Sequence, residues 1–375
     1  MNQDFIRSMP GHTRVSQMTW LHRIHIDPIL LFLLATVATY GLMVLYSAVN
    51  GDEVLFNAQI VRLSLAFAVL AVGAQLPPRL YVRWAPFVYV FGVILLVLVL
   101  LVGVTVKGAQ RWLDIPGITR FQPSELMKIG VPMAVAWYFH DKPLPPPFKD
   151  ICVALVIVAV PALFIVRQPD LGTGILVALS GLSVVVLAGL PWRWMLYSVI
   201  GFTAAAPALW PILTAYQRRR ILTLFDPESD PLGAGWNIMQ STTAIGSGGL
   251  TGKGLMQGTQ SHLDFLPEAQ TDFIIAVVGE ELGLIGIVVL LVLYVLIIGR
   301  GLYMAVQAES TFGRLLAGAL TMTFFVYVFV NIAMVSGLLP VVGVPLPLVS
   351  YGGTSAITLM AGFGIIMSIR THKAW

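Results

Sequence analysis

SHLDFLPEAQTDFIIAVVGEELGLIGIVVLLVLYVLII, residues 261–298, joins two kinds of sequence that rarely meet in a water-soluble protein. Its first part carries Asp264, Glu268, Asp272, Glu280 and Glu281, five of only 18 acidic residues in the chain. Its second part is an unbroken apolar run ending near Ile298. An ionisable group inside hydrocarbon costs roughly 3 kcal/mol or more. Carboxylates gathered at the mouth of an apolar helix therefore point to a site rather than a surface.

Outward from that stretch, apolar runs of about 20 residues recur, the length needed to cross a hydrocarbon core about 30 Å thick. The chain is 57% hydrophobic and only 11% charged, with a mean hydropathy of +0.86. It reads as an all-α polytopic membrane protein, and the rule that divides 375 residues into two or three soluble domains does not apply. Ten spans are predicted near 28–48, 57–76, 84–106, 124–139, 150–166, 171–189, 194–213, 272–299, 314–336 and 350–369. The cut at 166–171 rests on Arg167-Gln168-Pro169-Asp170, where Pro169 ends one helix and Asp170 caps the next. The whole chain, 1–375, is expected to form a single integral membrane domain.

Ten spans put both termini on one side. Of the basic residues in loops, twelve fall on that side and eight on the other. Seven of those eight sit in two loops, 107–123 and 214–271. The remaining short loops follow the positive-inside rule, so both termini are expected in the cytoplasm. The net charge of +4 follows from that bias and is no nucleic-acid signal. Residues 1–27 lack the short apolar core and cleavage site of a signal peptide, so the first span is expected to serve as its own anchor. Cys152, the only cysteine, lies in an apolar run, which excludes an internal disulfide and reads as an inert thiol.

The loop at 214–271 is far longer than an ordinary connection. With Trp236, Ile238, Met239, Leu250, Leu255 and Phe265 it is expected to be a packed, partly helical extracytoplasmic cap between the seventh and eighth spans. Its run IGSGGLTGKGLMQG (245–258) resembles a phosphate loop but has Ser247 at the first glycine position and Gly254 after Lys253. Tight turns at an interface are the expected role, with some backbone contact to a phosphate left open. No two of the six histidines stand at metal-ligand spacing on a helix, and His262 with Asp264 is a weak pair. No Gly-x-Ser-x-Gly elbow or partnered cysteine supports nucleophilic catalysis.

In KGAQRWLDIPGITRFQPSELMK (107–128), Pro123 suits a first helical turn, and Glu125 and Lys128 follow on one face. They read either as a structural ion pair or as the wall of a polar cavity. Trp112 is an interface anchor or a substrate contact. Asp272, with Thr271, stands where the cap loop enters a helix and would serve as an N-cap. Against capping, Asp264 and Glu268 crowd it across Pro267, and crowded carboxylates raise one another's pKa, which suits a general base. Glu280 and Glu281, about 12 Å further along the helix, read as interhelical partners.

These residues resemble a known family. NIAMVSGLLPVVGVPLPLVSYGGTSA (331–356), with Asn331, Gly337, Pro340, Gly343 and Ser350-Tyr351-Gly352-Gly353, is similar to the signature of the SEDS proteins of shape, elongation, division and sporulation. GAQRWLD, FQPSELMK, RQPDLGT and DFLPEAQTDFIIAVVGEELG resemble further family blocks in order, covering residues 28–370. The RFQPSE and QPDLGT contexts resemble the rod-shape (RodA) branch rather than the division (FtsW) branch. The resemblance implies a peptidoglycan glycosyltransferase of the bacterial inner membrane, with its site on the outer face, that polymerises lipid II for cell elongation and works with a class B penicillin-binding protein. It also implies that Asp272 matches the family's essential outer-loop aspartate and that Trp112, Glu125 and Lys128 match its cavity positions. Gln270 stands where many relatives carry His, which weakens any mechanism built on an Asp–His pair.

Such chemistry joins a C4 hydroxyl to an anomeric carbon with inversion and expels undecaprenyl diphosphate. It needs a base for the hydroxyl and cations for the diphosphate. Asp272 is the expected base. Arg111, Arg120, Lys128 and the cluster Arg218, Arg219 and Arg220 are candidates for the diphosphate, and a hydrated Mg2+ or Mn2+ can share that task. Asp264 and Glu268 are expected beside the substrate. The alternatives are a flippase for the lipid-linked precursor and a non-catalytic scaffold that recruits a transpeptidase.

Overall fold

A computed structural model describes residues 24–372 apart from 107–108, 115–120, 214, 231–232 and 263–267. Asp264, Lys107 and Arg120 therefore lie outside the described residues. The ten predicted spans appear as helices α1 (Pro28–Ala48), α2 (Glu53–Gln75), α3 (Pro78–Val102), α4 (Pro123–Phe139), α5 (Phe148–Arg167), α6 (Leu171–Leu187), α7 (Trp192–Leu209), α11 (Ile274–Val306), α12 (Thr311–Val335) and α13 (Thr354–Thr371). Between α7 and α11 lie α8 (Ala215–Phe225), α9 (Ala234–Gly248) and the single turn α10 (Thr259–His262). Seven of the ten are long and apolar enough to span a membrane by themselves. The other three, α4, α6 and α7, complete the bundle.

The helices begin where the sequence supplies caps. Asp27 accepts from Leu30 N at 2.8 Å with Pro28 at the first turn. Asp52 accepts from Val54 N and Leu55 N, Asp170 from Thr173 N and Ser310 from Gly313 N. Each side-chain oxygen satisfies an N–H that has no partner inside the helix. These caps, and Pro77-Pro78, set α2 and α3 several residues earlier than the apolar runs alone suggest. A continuous cluster of buried apolar side chains runs from Ile26 to Ile369. Small residues let helices approach closely within it, as where the Gly364 Cα of α13 lies against the backbone of Leu70 and Gly73 in α2.

Two features depart from a plain bundle. After α3, strands β1 (Val104–Val106) and β2 (Ala109–Trp112) form a small antiparallel hairpin, extended by a bridge between Leu113 and Phe121. The other is a break in α11 at Gly283, whose φ of 66° suits glycine. The groups freed there are taken up by the glycine-rich run. Lys253 N and Gly254 N donate to the carbonyls of Glu280 and Glu281 at 3.0 and 2.9 Å, and Leu284 N and Ile285 N donate to Gly249 O and Leu250 O at 3.0 and 3.1 Å. Broken helices persist in membranes only when their backbone is satisfied in this way. A Cβ at Gly248 would stand 1.9 Å from Gly279 O, and one at Gly252 2.1 Å from Glu281 O. The run is thus an interface against α11, with the amides of Gly252, Lys253 and Gly254 already used.

The chain's described ends meet at one end of the bundle. The rings of His25 and His372 stack with centroids 3.7 Å apart, and Asp27 binds Arg300 of α11 at 2.6 Å.

Candidate active site

The turns before α11 build the first wall. Thr271 N and Phe273 N both donate to Glu268 O, at 3.1 and 3.2 Å, and Thr271 Oγ1 donates to Glu268 Oε2 at 2.8 Å. Phe273 occupies the cap position of α11, with no side-chain capping bond. The sequence placed Asp272 at that position, and the structure puts Phe273 there. Asp272 stands one residue earlier and lines a cavity of about 590 Å³.

Asp272 is held through its backbone. Asn331, fully buried in α12, donates from Nδ2 to Asp272 O at 2.8 Å and to Val344 O at 2.7 Å. That double bond fastens the α11 lead-in to the loop between α12 and α13. In this loop Gly343 has φ 75°, and a Cβ there would sit 3.4 Å from Asp272 Oδ2. A side chain at this position would thus meet the carboxylate first.

The same cavity is lined by Arg111 from β2, Arg219 and Arg220 from α8, Asp230, Glu268 and Gly343. Arg219 binds Asp230 at 2.8 Å. Arg111 Nη1 binds Asp170 at 3.2 Å, and Asp170 also accepts from Gln122 Nε2 at 3.3 Å. Asp170 thereby caps α6 and aims Arg111. The Nε of Arg111 is buried without a hydrogen-bond partner. Three arginines lining one cavity form a site for a polyanion, and the Asp272 carboxylate in the same lining can take a proton.

The remaining predicted residues lie elsewhere. Glu125 and Lys128 form a buried ion pair at 2.6 Å, with side chains 8% and 5% exposed. The Lys128 ammonium lies 4.7 Å over the Tyr327 ring. Neither residue lines the large cavity, nor does Trp112 at the end of β2. Arg218 turns away: its guanidinium donates to Pro211 O at 2.7 Å and Leu213 O at 3.0 Å. Glu280, expected to pair with another spanning helix, is instead held by the cap loop. It accepts from Thr259 N at 2.7 Å, Lys253 Nζ at 2.8 Å and Gln260 N at 3.0 Å. Glu281 accepts from Ser47 of α1 at 2.6 Å. Among the described residues no three His, Cys, Asp or Glu side chains form a cage for a metal ion.

Sequence reading missed Asp170 as the residue that orients Arg111. It was legible as a cap, but its second task depends on a hairpin 59 residues away. Asn331 was seen only as part of a motif.

A family model of FtsW, RodA and SpoVE, described as cell cycle protein, matches residues 26–374. The chain belongs to this family. It is 54% identical over 359 residues to the peptidoglycan glycosyltransferase MrdB of Escherichia coli K12, covering 96% of this chain and 97% of that protein. It is 36% identical to a probable peptidoglycan glycosyltransferase FtsW of Trichlorobacter lovleyi, covering 92% of each. Among solved structures it is similar to a chain of a peptidoglycan synthase complex that coordinates polymerization and crosslinking, with TM-score 0.81, 32% identity and coverage of 92% and 97%. The rod shape determining protein RodA of Thermus thermophilus matches with TM-score 0.69, 30% identity and coverage of 92% and 96%. These likenesses agree with the SEDS resemblance and its rod-shape branch.

Proposed function

We propose that this protein is a peptidoglycan glycosyltransferase that polymerises lipid II during cell elongation. The observation that carries the reading is the Asp272 carboxylate on the wall of a cavity that faces Arg111, Arg219 and Arg220. In the reaction the C4 hydroxyl oxygen of one disaccharide attacks the anomeric carbon of another. The C–O bond to undecaprenyl diphosphate breaks as the new glycosidic bond forms, which inverts the α-linked donor to a β-linkage. Asp272 takes the hydroxyl proton, and the arginines receive the negative charge that develops on the departing diphosphate. Glu268 stands on the same wall, beside the acceptor. Glu125 and Lys128 support the bundle beneath the site.

The reading extends to topology and partner. With Arg79, Arg83, Lys142, Lys149 and Arg193 in or beside the short loops at the end opposite the cavity, the positive-inside bias supports cytoplasmic termini and an outer-face site. The chain acts as one membrane unit and works with a class B penicillin-binding protein. The similar synthase complex supports this pairing of polymerase and crosslinker. A cysteine placed at Ser229 should react with an impermeant thiol reagent in intact spheroplasts. Labelling only after lysis would reverse the topology.

The deciding experiment is polymerisation of purified lipid II by the protein with its partner, wild type against Asp272→Asn. Losing general-base catalysis costs roughly 10²–10⁴ in rate. The variant should insert and co-purify with the partner normally while making almost no glycan. Polymerisation within a few-fold of wild type would remove Asp272 from the chemistry and revive the flippase and scaffold readings.

A further inference from the structure

Arg62 stands inside α2, an apolar membrane helix, where an arginine is costly unless it has a task. Its guanidinium carbon lies 4.4 Å over the Tyr351 ring. Its aliphatic carbons run along Gly353, so close that a Cβ there would sit 3.0 Å from Cδ. One turn earlier, Gln59 is 1% exposed and meets the same loop from both sides of its amide. Nε2 donates to Ser350 O at 3.2 Å and Oε1 accepts from Gly352 N at 3.3 Å. Three residues apart on one helical face, the two side chains grip Ser350–Gly353 by its backbone and its ring.

What they grip leads to Asp272 by two routes. Tyr351 N donates to Gln270 O at 2.8 Å, two residues before Asp272. Ser350 Oγ accepts from Leu346 N at 2.7 Å, closing the turn that continues back to Val344 and Gly343. Val344 O is bound by the same Asn331 nitrogen that holds Asp272 O, and Gly343 lines the cavity with Asp272, where a Cβ would sit 3.4 Å from Oδ2. Neither Gln59 nor Arg62 lines the cavity.

We propose that Gln59 and Arg62 are positioning residues of the polymerase site, fixing from α2 the 343–353 loop whose backbone sets where the Asp272 carboxylate stands. The inference rests on the reading of Asp272 as the base. Removing a charge from a membrane helix carries no burial penalty, so Arg62→Leu separates positioning from folding. Gln59→Leu is the second, independent variant.

The test uses the full-length protein with its partner, purified lipid II, and melting in detergent. Misplacing a catalytic group by about 1 Å costs on the order of 10²-fold. Each variant is therefore expected to lose about 10- to 100-fold in kcat, with KM within about twofold and Arg62→Leu melting at the wild-type temperature. Arg62→Lys keeps the charge without the planar stack and should recover part of the rate. In an Asp272→Glu background, whose carboxylate is already displaced, Arg62→Leu should cost a smaller factor, because the two act on one atom group. A loss confined to KM, a loss that tracks a lowered melting temperature, or an equal factor in both backgrounds overturns the positioning role. If Asp272→Asn abolishes polymerisation while both α2 variants work at wild-type rate, this inference alone fails. An active Asp272→Asn sinks the reading beneath it.

Discussion

The side-chain nitrogen of Asn331 donates to the backbone carbonyl of Asp272 at 2.8 Å from a fully buried position in α12. The same nitrogen reaches Val344 O at 2.7 Å, so one amide joins three segments distant in sequence. A carboxylate proposed as a base is worth most when its surroundings need not rearrange during reaction, and this bond fixes the Asp272 backbone.

Asn331→Leu should therefore lower both stability and rate. Leaving two buried carbonyls without their donor costs about 1–3 kcal/mol each, which a detergent melting curve resolves. Asn331→Asp presents oxygens to two carbonyls and should be at least as damaging, whereas a variant melting like wild type would show that the bonds carry no weight.

Much of this architecture is written in the chain, and the omissions have physical causes. The ten spans were legible because hydropathy registers the cost of moving residues into hydrocarbon, and Pro169-Asp170 divided α5 from α6 as expected. The break at Gly283 was not, since one glycine among apolar residues leaves that sum unchanged. The cost of a broken helix is met by backbone groups of residues 249–254, which no side-chain pattern reports. The same limit governs the site. Charge and spacing singled out Asp272 and the arginines, but not the direction each takes. Arg218, Arg219 and Arg220 are alike in sequence, yet a helix of 3.6 residues per turn points neighbours about 100° apart. Arg219 and Arg220 accordingly face the cavity while Arg218 holds the preceding turn.

At the opposite end, where His25 and His372 stack, His25 should give the protein a pH dependence. Burial lowers the pKa of His25 below its usual 6.5, with the neighbouring His372 adding to the effect. The unfolded chain then binds the proton more readily than the folded one, so the contribution is present above the unfolded pKa and is lost as pH falls below it. The melting temperature should decline from pH about 7 to about 5, and His25→Phe, which keeps a ring in the stack, should flatten part of that decline. Identical profiles for the two proteins would remove His25 from the pH response.

The three arginines of α8 make the sharpest test of the cavity. If Arg220 receives charge from the departing diphosphate, Arg220→Leu removes a cation from the transition state, a loss of about 10²–10³ in kcat by analogy with oxyanion donors. Arg220→Lys retains the charge without the bidentate fork and should fall between. Arg219 is shared with Asp230 at 2.8 Å, so Arg219→Leu removes an ion pair as well as a cation and should cost at least as much. Arg218 spends its donors on Pro211 O and Leu213 O. Its replacement by Leu should leave kcat near wild type and lower stability by about 1 kcal/mol, the worth of a typical hydrogen bond. Steady-state polymerisation of lipid II by the three Leu variants separates these outcomes. Equal losses at all three positions would mean that α8 acts through its net charge, and that the cavity does not distinguish the arginines facing it from the one turned away.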